Sequence, residues 1–407
     1  MSGAGGPTPP SKRVVGLDAL RGFALLGILV VNVRLFSMPE VVLLNPTAYG
    51  DFAGANYWAW FAGHVLVEQK FITLFTLLFG GGIALFVRNR ERRGEPALAL
   101  HLRRSGLLVA FGLLHAYLLW YGDVLVAYGV TALWVVGARH EPARRQAVLG
   151  LGLLLVPSAT EVASALFADL SAFAQTWRPA EAALRAEIET YHSGWLAQLA
   201  HRVPTAFERQ TSGYLASTGW RVSGSMLLGM ALFEWGVLTN DRSERFYRRL
   251  AAVGGTTGLA VALAGVWYVE ASGWTPAAGL LWRQFNYWGS LPLAGAYVAV
   301  VMLYARRRPD GVLTRTLAGV GRTAFSNYLL QSVLATAVFY GHGLGLFGRV
   351  TRFEALGVVV AIWAFQVALT VLWLRRYRYG PMEWLWRTLT YGERQPLSAG
   401  REDDRSA

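Results

Sequence analysis

His115 and Asp123 are the pair in this sequence best suited to acid–base chemistry. The imidazole stands in the apolar stretch LLVAFGLLHAYLLWYGD, and the carboxylate follows eight residues later, just past Gly122. A reversal of the chain at Gly122 would fold Asp123 back toward His115, and an imidazole oriented by a carboxylate makes a general base near neutral pH. The plainer reading is a histidine hydrogen-bonded to a neighbouring helix. A second group lies at His64, Glu68 and Lys70, where His64 and Glu68 share one helical face and Lys70 lies roughly opposite. Lys70 either snorkels outward as an anchor or points inward, where a partner such as Asp18 or Glu68 must compensate it. In the run Leu17 to Val33, a helix puts Asp18, Arg21, Leu25, Leu29 and Asn32 on one narrow face, with Asp18 and Arg21 able to pair. That polar stripe either locks two helices together or binds a ligand. Further along, Arg322, Ser326, Asn327, Tyr328, Gln331 and Ser332 occupy a single apolar run, where such side chains glue helices together or line a polar cavity. The seven histidines have no metal-ligand spacing and there is no nucleotide-binding glycine loop, so no metal is expected.

The elements that position these groups follow from composition. Of 407 residues, 54% are hydrophobic and 15% charged, which is too apolar for an ordinary soluble domain. Ten apolar runs approach the roughly 20 residues of a membrane crossing. They lie near 15–36, 58–87, 103–121, 123–138, 147–168, 222–238, 250–269, 285–304, 322–340 and 355–374. Loops rich in arginine alternate with loops that are nearly neutral, and the positive-inside rule then puts both termini in the cytoplasm. The net charge of +13 belongs to these loops, so no nucleic-acid partner is expected. Tryptophan and tyrosine gather near the ends of the runs as an interfacial belt. Disulfides and thiolate chemistry are excluded, since the chain has no cysteine. Lys12 and Lys70 are the only lysines among 38 basic residues, a GC-rich bias that points to a bacterium. The expectation is an all-α, polytopic integral membrane protein of about ten transmembrane helices, multi-pass in a bacterial cytoplasmic (inner) membrane. The lipid bilayer is then its first partner.

Five segments are expected along the chain. Residues 1–12 and 393–407 read as disordered cytoplasmic tails. Residues 13–170 form an N-terminal bundle of helices 1–5, and 222–392 a C-terminal bundle of helices 6–10. Between them, 171–221 is an extracytoplasmic loop with one amphipathic helix starting at Pro179, in which Ala180, Leu184, Ile188, Tyr191, Trp195 and Leu199 recur at helical spacing. This helix either lies on the outer leaflet or forms a lid, with His192 and His201 as ordinary surface residues. The glycines at 80–82 allow close helix packing or close approach of a ligand.

Four segments carry a resemblance: LDALRGF at 17–23, KFITLFTLLFGGGIALF at 70–86, GRTAFSNYLLQS at 321–332 and RYGPMEWLWR at 378–387. Together they resemble the YeiB-like family of bacterial membrane proteins (domain of unknown function 418), within the transmembrane acyltransferase superfamily. The resemblance implies transfer of an acyl group from cytoplasmic acyl-coenzyme A to a hydroxyl or amine of a glycan, lipid or secreted small molecule. It implies basic inner loops facing the donor's phosphates and Arg21 and Arg322 at the channel mouth. Lys70, Ser326, Asn327 and Gln331 join Asp18 as candidate substrate or cofactor contacts. His115 or His64 would deprotonate the acceptor, and Asn32 would steady the oxyanion. The branch that O-acylates sugars has a histidine eleven residues after the arginine, where this chain has Asn32. The heparan-glucosaminide N-acetyltransferase branch also resembles this start, with an asparagine near that place and its histidine further on, which by order is His64. The alternative is a small-solute transporter or channel using the same charges as a path, and a third reading is a purely structural membrane protein. The acyl chain, the acceptor and the oligomeric state are left open.

Overall fold

The structure is a computed structural model that describes residues 15–398. The tail expectations for 1–12 and for 399–407 fall outside the described residues. Residues 393–398 fold back on the last helix, with Arg378 donating its amide to Leu397 O at 2.9 Å and the Trp384 indole donating to Gln395 O at 2.7 Å.

Helices account for nearly all of the described chain. In order they are α1 (Val15–Ser37), α2 (Gly54–Ala62), α3 (Lys70–Glu91), α4 (Ala97–Leu118), α5 (Leu125–Val135), α6 (Ala143–Phe167), α7 (Ser171–Trp177) and α8 (Glu181–His192). There follow α9 (Leu199–Gln210), α10 (Gly219–Glu234), α11 (Glu244–Ala271), α12 (Pro276–Arg307), α13 (Val312–Arg322), α14 (Ala324–Phe339), α15 (Arg352–Leu374) and α16 (Pro381–Tyr391). Each of the ten apolar runs holds a helix. Among the described residues, seven helical stretches are long and apolar enough to cross a membrane, counting Gly54–Glu91 as one. The apolar helices Leu125–Ala138 and Ala324–Phe339 are shorter, and α10 has 16 residues, preceded by a π-helical turn at Tyr214–Thr218.

At the centre of the bundle, α1 packs against α3, α12, α13, α14 and α15. Its tightest neighbour is α13, a helix that lies almost wholly between the eighth and ninth apolar runs. The two backbones touch because each presents a glycine. A Cβ on Gly22 would lie 2.0 Å from Leu317 O, and one on Gly321 would lie 1.9 Å from Asp18 O. Small residues at such a crossing let backbones approach and van der Waals contacts accumulate. The chain then breaks at Thr323, so the ninth run is two helices, with Arg322 ending one and Ser326 in the first turn of the next.

The long loop also differs from its reading. Three helices, α7, α8 and α9, replace the single amphipathic one. The predicted stripe ends at His192, because the chain leaves the helix at Ser193–Gly194, and Trp195 falls outside it. These helices cap the end of the bundle where α1 finishes. Tyr191 stacks on Phe347 with ring centroids 4.2 Å apart, and Arg202 donates to Tyr117 O at 2.9 Å. Nor are the two loop histidines plain surface residues. His192 Nε2 donates to Phe347 O at 2.7 Å, and His201 stands edge-on to Tyr191, centroids 5.4 Å apart.

Two predictions follow from this packing. Replacing Gly321 by Leu forces α13 off α1 and costs about 1–3 kcal/mol or more, read as a lower unfolding midpoint in detergent. Gly82→Ala is the control, since the nearest atom to its added Cβ is an Arg21 side-chain nitrogen at 3.5 Å. The second concerns Glu187, whose Oε1 accepts from the Glu40 amide at 2.9 Å, while Glu40 pairs with Arg209. Burial pushes Glu187 up to about 7, the Glu40 carboxylate adds to the rise, and the Glu40 amide opposes it. A carboxyl raised in the folded state favours folding when protonated. Its contribution is complete below the ordinary 4.5 and is lost as pH rises through about 7. Amide exchange in α8 should therefore be slower at acid than at alkaline pH beyond the intrinsic effect, and Glu187→Gln should remove that difference.

Candidate functional site

A cavity of about 760 Å³ opens at the end of the bundle where α1 begins. Among the described residues, nine arginines face it, including Arg21, Arg88, Arg90, Arg104, Arg322 and Arg387, against two carboxylates, Asp18 and Glu383. Its walls are apolar further in, with Phe75, Phe79, Ile83, Leu108 and Phe325. Val124, Leu125, Tyr128 and Tyr328 also line it.

The rim is held in place by contacts between elements. Arg21 Nη1 donates to Asp18 Oδ1 at 3.1 Å, one turn back on α1, and its guanidinium lies against Gly82 of α3. Arg104 is sandwiched between the rings of Phe86 and Trp386, 4.6 Å from each centroid. Arg90 pairs with Glu95 at 2.5 Å and donates to the Tyr391 hydroxyl at 2.8 Å. Arg322 donates to Arg378 O at 3.1 Å. Glu383 of α16 accepts from Phe325 N at 2.6 Å, Ser326 N at 3.1 Å and Ser326 Oγ at 2.5 Å. It thus caps the first turn of α14, where a carboxylate is favoured. Burial nonetheless pushes its carboxyl above the ordinary range.

Beyond Val124 and Tyr328 stands a hydrogen-bonded chain. His115 Nδ1 lies 2.8 Å from Asp123 Oδ1, and His115 Nε2 lies 2.8 Å from Ser332 Oγ. All three side chains are buried. The carboxylate can only accept, so Nδ1 carries the proton and Nε2 of the neutral ring accepts from the Ser332 hydroxyl. The α4–α5 reversal is made locally: a Cβ on Gly112 would lie 2.6 Å from Val126 N and 3.0 Å from Asp123 Oδ2, which accepts from Val126 N at 2.8 Å. The Tyr328 hydroxyl accepts from Val124 N at 3.2 Å, and its ring lies 5.1 Å from the His115 ring, centroid to centroid.

A second polar cluster lies toward the other end of α1. Glu68 Oε2 accepts from Arg34 at 3.0 Å and from His64 Nδ1 at 3.2 Å. Lys70 points inward, fully buried, and donates to His64 O at 2.7 Å and to Asn286 Oδ1. Its partners are thus not Asp18, which belongs to the cavity. His64 sits on the π-helical turn Gly63–Val67, stacked between Trp282, 4.4 Å away, and Trp60, 5.3 Å away. Among the described residues its buried Nε2 has no hydrogen-bond partner. Gln69, in the left-handed region at φ 68°, separates this turn from α3.

Of the residues singled out from the sequence, Asp18, Arg21 and Arg322 face the cavity, and Tyr328 and Val124 carry it up to His115 and Asp123. Asn32 is half-buried and faces no described cavity, and His64 and Lys70 belong to the separate cluster. Asn327 and Gln331 are engaged between helices instead of lining the cavity. Asn327 donates to Thr323 and Thr370 at 2.9 and 3.0 Å, and Gln331 donates to Gln366 at 3.2 Å. Ser326 is held by Glu383. In the sequence Asn286 reads as an isolated polar residue with a structural role, Ser332 as one polar residue of its run, and nothing marks Arg34 or Trp282 as parts of a site. No local spacing links them to their partners.

The fold is thus an all-α bundle, seven of whose helical stretches among the described residues are long and apolar enough to cross a membrane, with an arginine-rimmed cavity at one end and buried polar chains within. The family model described as "Protein of unknown function (DUF418)" matches residues 232–393. The chain is 34% identical over 388 residues to "Uncharacterized protein YeiB" of Escherichia coli (strain K12), covering 93% of this chain and 96% of that one. It is 29% identical over 415 residues to "Uncharacterized protein YxaH" of Bacillus subtilis (strain 168), covering 96% and 98%. It belongs to the DUF418 family. These relatives are bacterial, in keeping with the reading of its codon bias.

The far cluster yields a test of compensation. Glu68→Ala strands the Arg34 guanidinium and should cost roughly 3–5 kcal/mol, whereas Arg34→Met combined with Glu68→Leu should recover only the part owed to Arg34, since Glu68 also offsets the charge of buried Lys70. Thermal unfolding of the three proteins in one detergent checks this.

Proposed function

We propose that this protein is an acyltransferase of a bacterial cytoplasmic membrane, drawing its acyl group from acyl-coenzyme A. The observation that carries the reading is one cavity running from nine arginines to Tyr328, which touches the His115 ring. Guanidinium groups suit the phosphates of the donor, and the apolar walls suit its pantetheine arm and acyl group. In this reading the arginine end faces the cytoplasm and both termini with it, because the loops at that end hold the arginine runs at 88–93, 139–145, 242–249 and 306–308. His115, oriented by Asp123, takes the proton of an attacking hydroxyl or amine. Membership of the transmembrane acyltransferase superfamily is part of the same proposal, supported by the LDALRGF start. The acceptor is a glycan, lipid or secreted small molecule.

One observation favours a transporter as the second reading. The helix broken at Gln69 keeps Lys70 and Arg34 buried within the bundle and Glu68 half-buried beside them, as ion and solute paths do.

Calorimetric binding of acetyl-coenzyme A to the detergent-purified protein separates the two. Saturable binding is expected, weakened on the order of 10-fold to 100-fold by Arg21→Ala and retained by His115→Ala. A folded, monodisperse protein that binds no acyl-coenzyme A sinks the acyltransferase reading, and solute flux in proteoliposomes then becomes the measurement.

A further inference from the structure

Among the described residues, two carboxylate–histidine pairs lie inside the bundle, and they differ in what stands beyond the imidazole. His64 ends, among those residues, in a nitrogen without a partner, between two indoles. His115 ends in a hydroxyl. The order Asp123–His115–Ser332 puts a carboxylate on Nδ1 and a serine on Nε2, each at 2.8 Å. This is the arrangement that makes a serine nucleophilic: the imidazole accepts the hydroxyl proton, and the carboxylate stabilises the imidazolium that forms. Three different elements supply it, α4, the turn before α5, and α14. A bond that only joined α4 to α14 would need no carboxylate behind the histidine, and Asp123 is itself buried and fixed by Val126 N.

Ser332 is buried and does not line the cavity, but Tyr328, one turn before it on α14, does, so a thioester advancing past the arginines meets Tyr328 first and reaches Ser332 only when that ring moves aside. The Tyr328 hydroxyl accepts from Val124 N, which leaves its own proton available to a developing oxyanion.

We infer that Ser332 is the nucleophile of this site and carries the acyl group as an ester on Oγ before the acceptor takes it, an inference resting on the acyl-donor reading above. In the first half, His115 Nε2 takes the Ser332 proton as Oγ bonds to the thioester carbonyl carbon. The carbon–sulfur bond breaks, and the thiolate leaves with that proton as free thiol. In the second half, His115 takes the proton of the acceptor hydroxyl or amine, whose oxygen or nitrogen bonds to the acyl carbon. The ester bond to Oγ breaks, and Ser332 recovers its proton. The two substrates need never meet.

The full-length, detergent-purified chain is treated with a fluorophosphonate probe and, separately, with acetyl-coenzyme A labelled in the acetyl group, and peptides are read by mass spectrometry. Both reagents should modify Ser332. His115→Ala should slow both by about 10³-fold. Arg21→Ala should leave the fluorophosphonate rate unchanged while slowing acetylation, because only the second reagent needs the phosphate rim. Access is tested by Ser332→Cys, the single thiol in a cysteine-free chain; it should react with a small methanethiosulfonate and take the labelled acetyl group. If that thiol reacts with the methanethiosulfonate while neither reagent marks Ser332 in the wild type, the inference is overturned and the donor-binding reading stands. Acyl transfer by Ser332→Ala at the wild-type rate overturns it equally. Phosphonylation of Ser332 without acetylation keeps the nucleophile and removes the thioester donor.

Discussion

A charge inside an apolar bundle has to be compensated where it lies, and the placement of helices in this protein is organised around that constraint. Glu68 receives Arg34 from α1 and His64 from the π-turn, while Lys70 reaches Asn286 on α12. Three helical stretches are thereby tied together by groups that would be costly if left apart. At the opposite end, Glu383 of α16 binds the first turn of α14, and Arg90 is held by Glu95 and Tyr391. Compensation is concentrated at the bundle's two ends, and the middle of α1 is left to apolar side chains and glycine.

The polar side chains collect where helices are interrupted. His64 lies on the π-turn, Asp123 in the α4–α5 reversal, and Arg322 at the end of α13, one residue before the break at Thr323. Interruptions free backbone groups that nearby side chains can satisfy, and they aim residues that a continuous helix would direct elsewhere. Glycines complete the arrangement by allowing contact of main chains. Gly22 and Gly321 bring α13 onto α1, which sets Arg322 and the Asp18–Arg21 pair around one cavity. Gly112 lets Asp123 fold onto His115.

How much of this was legible depends on sequence separation. His115 and Asp123 are eight apart with a glycine at the turn, so their meeting follows from local geometry. Asp18 with Arg21, and His64 with Glu68, follow from helical periodicity. Ser332 is 217 residues from His115, and Asn286 is 216 from Lys70, and nothing in periodicity addresses such distances. Asn327 and Gln331 look identical in sequence whether they glue helices or line a cavity; contact with Thr370 and Gln366 of α15 decided for glue. The α13 helix was hidden because its polar face and short length match a loop as well as a helix.

By itself, the sequence determined that this chain is helical, apolar along ten runs, free of thiol chemistry and charged mainly between its runs. Those properties follow from composition and from repeats of a few residues, which act within one element. Tertiary structure alone decided which buried histidine has a hydroxyl before it, which arginines share a cavity, and that Lys70 faces inward. Each of these depends on the register between helices distant in the chain. That register is set by packing of small residues and by pairing of buried charges, for which a linear pattern carries no coordinate.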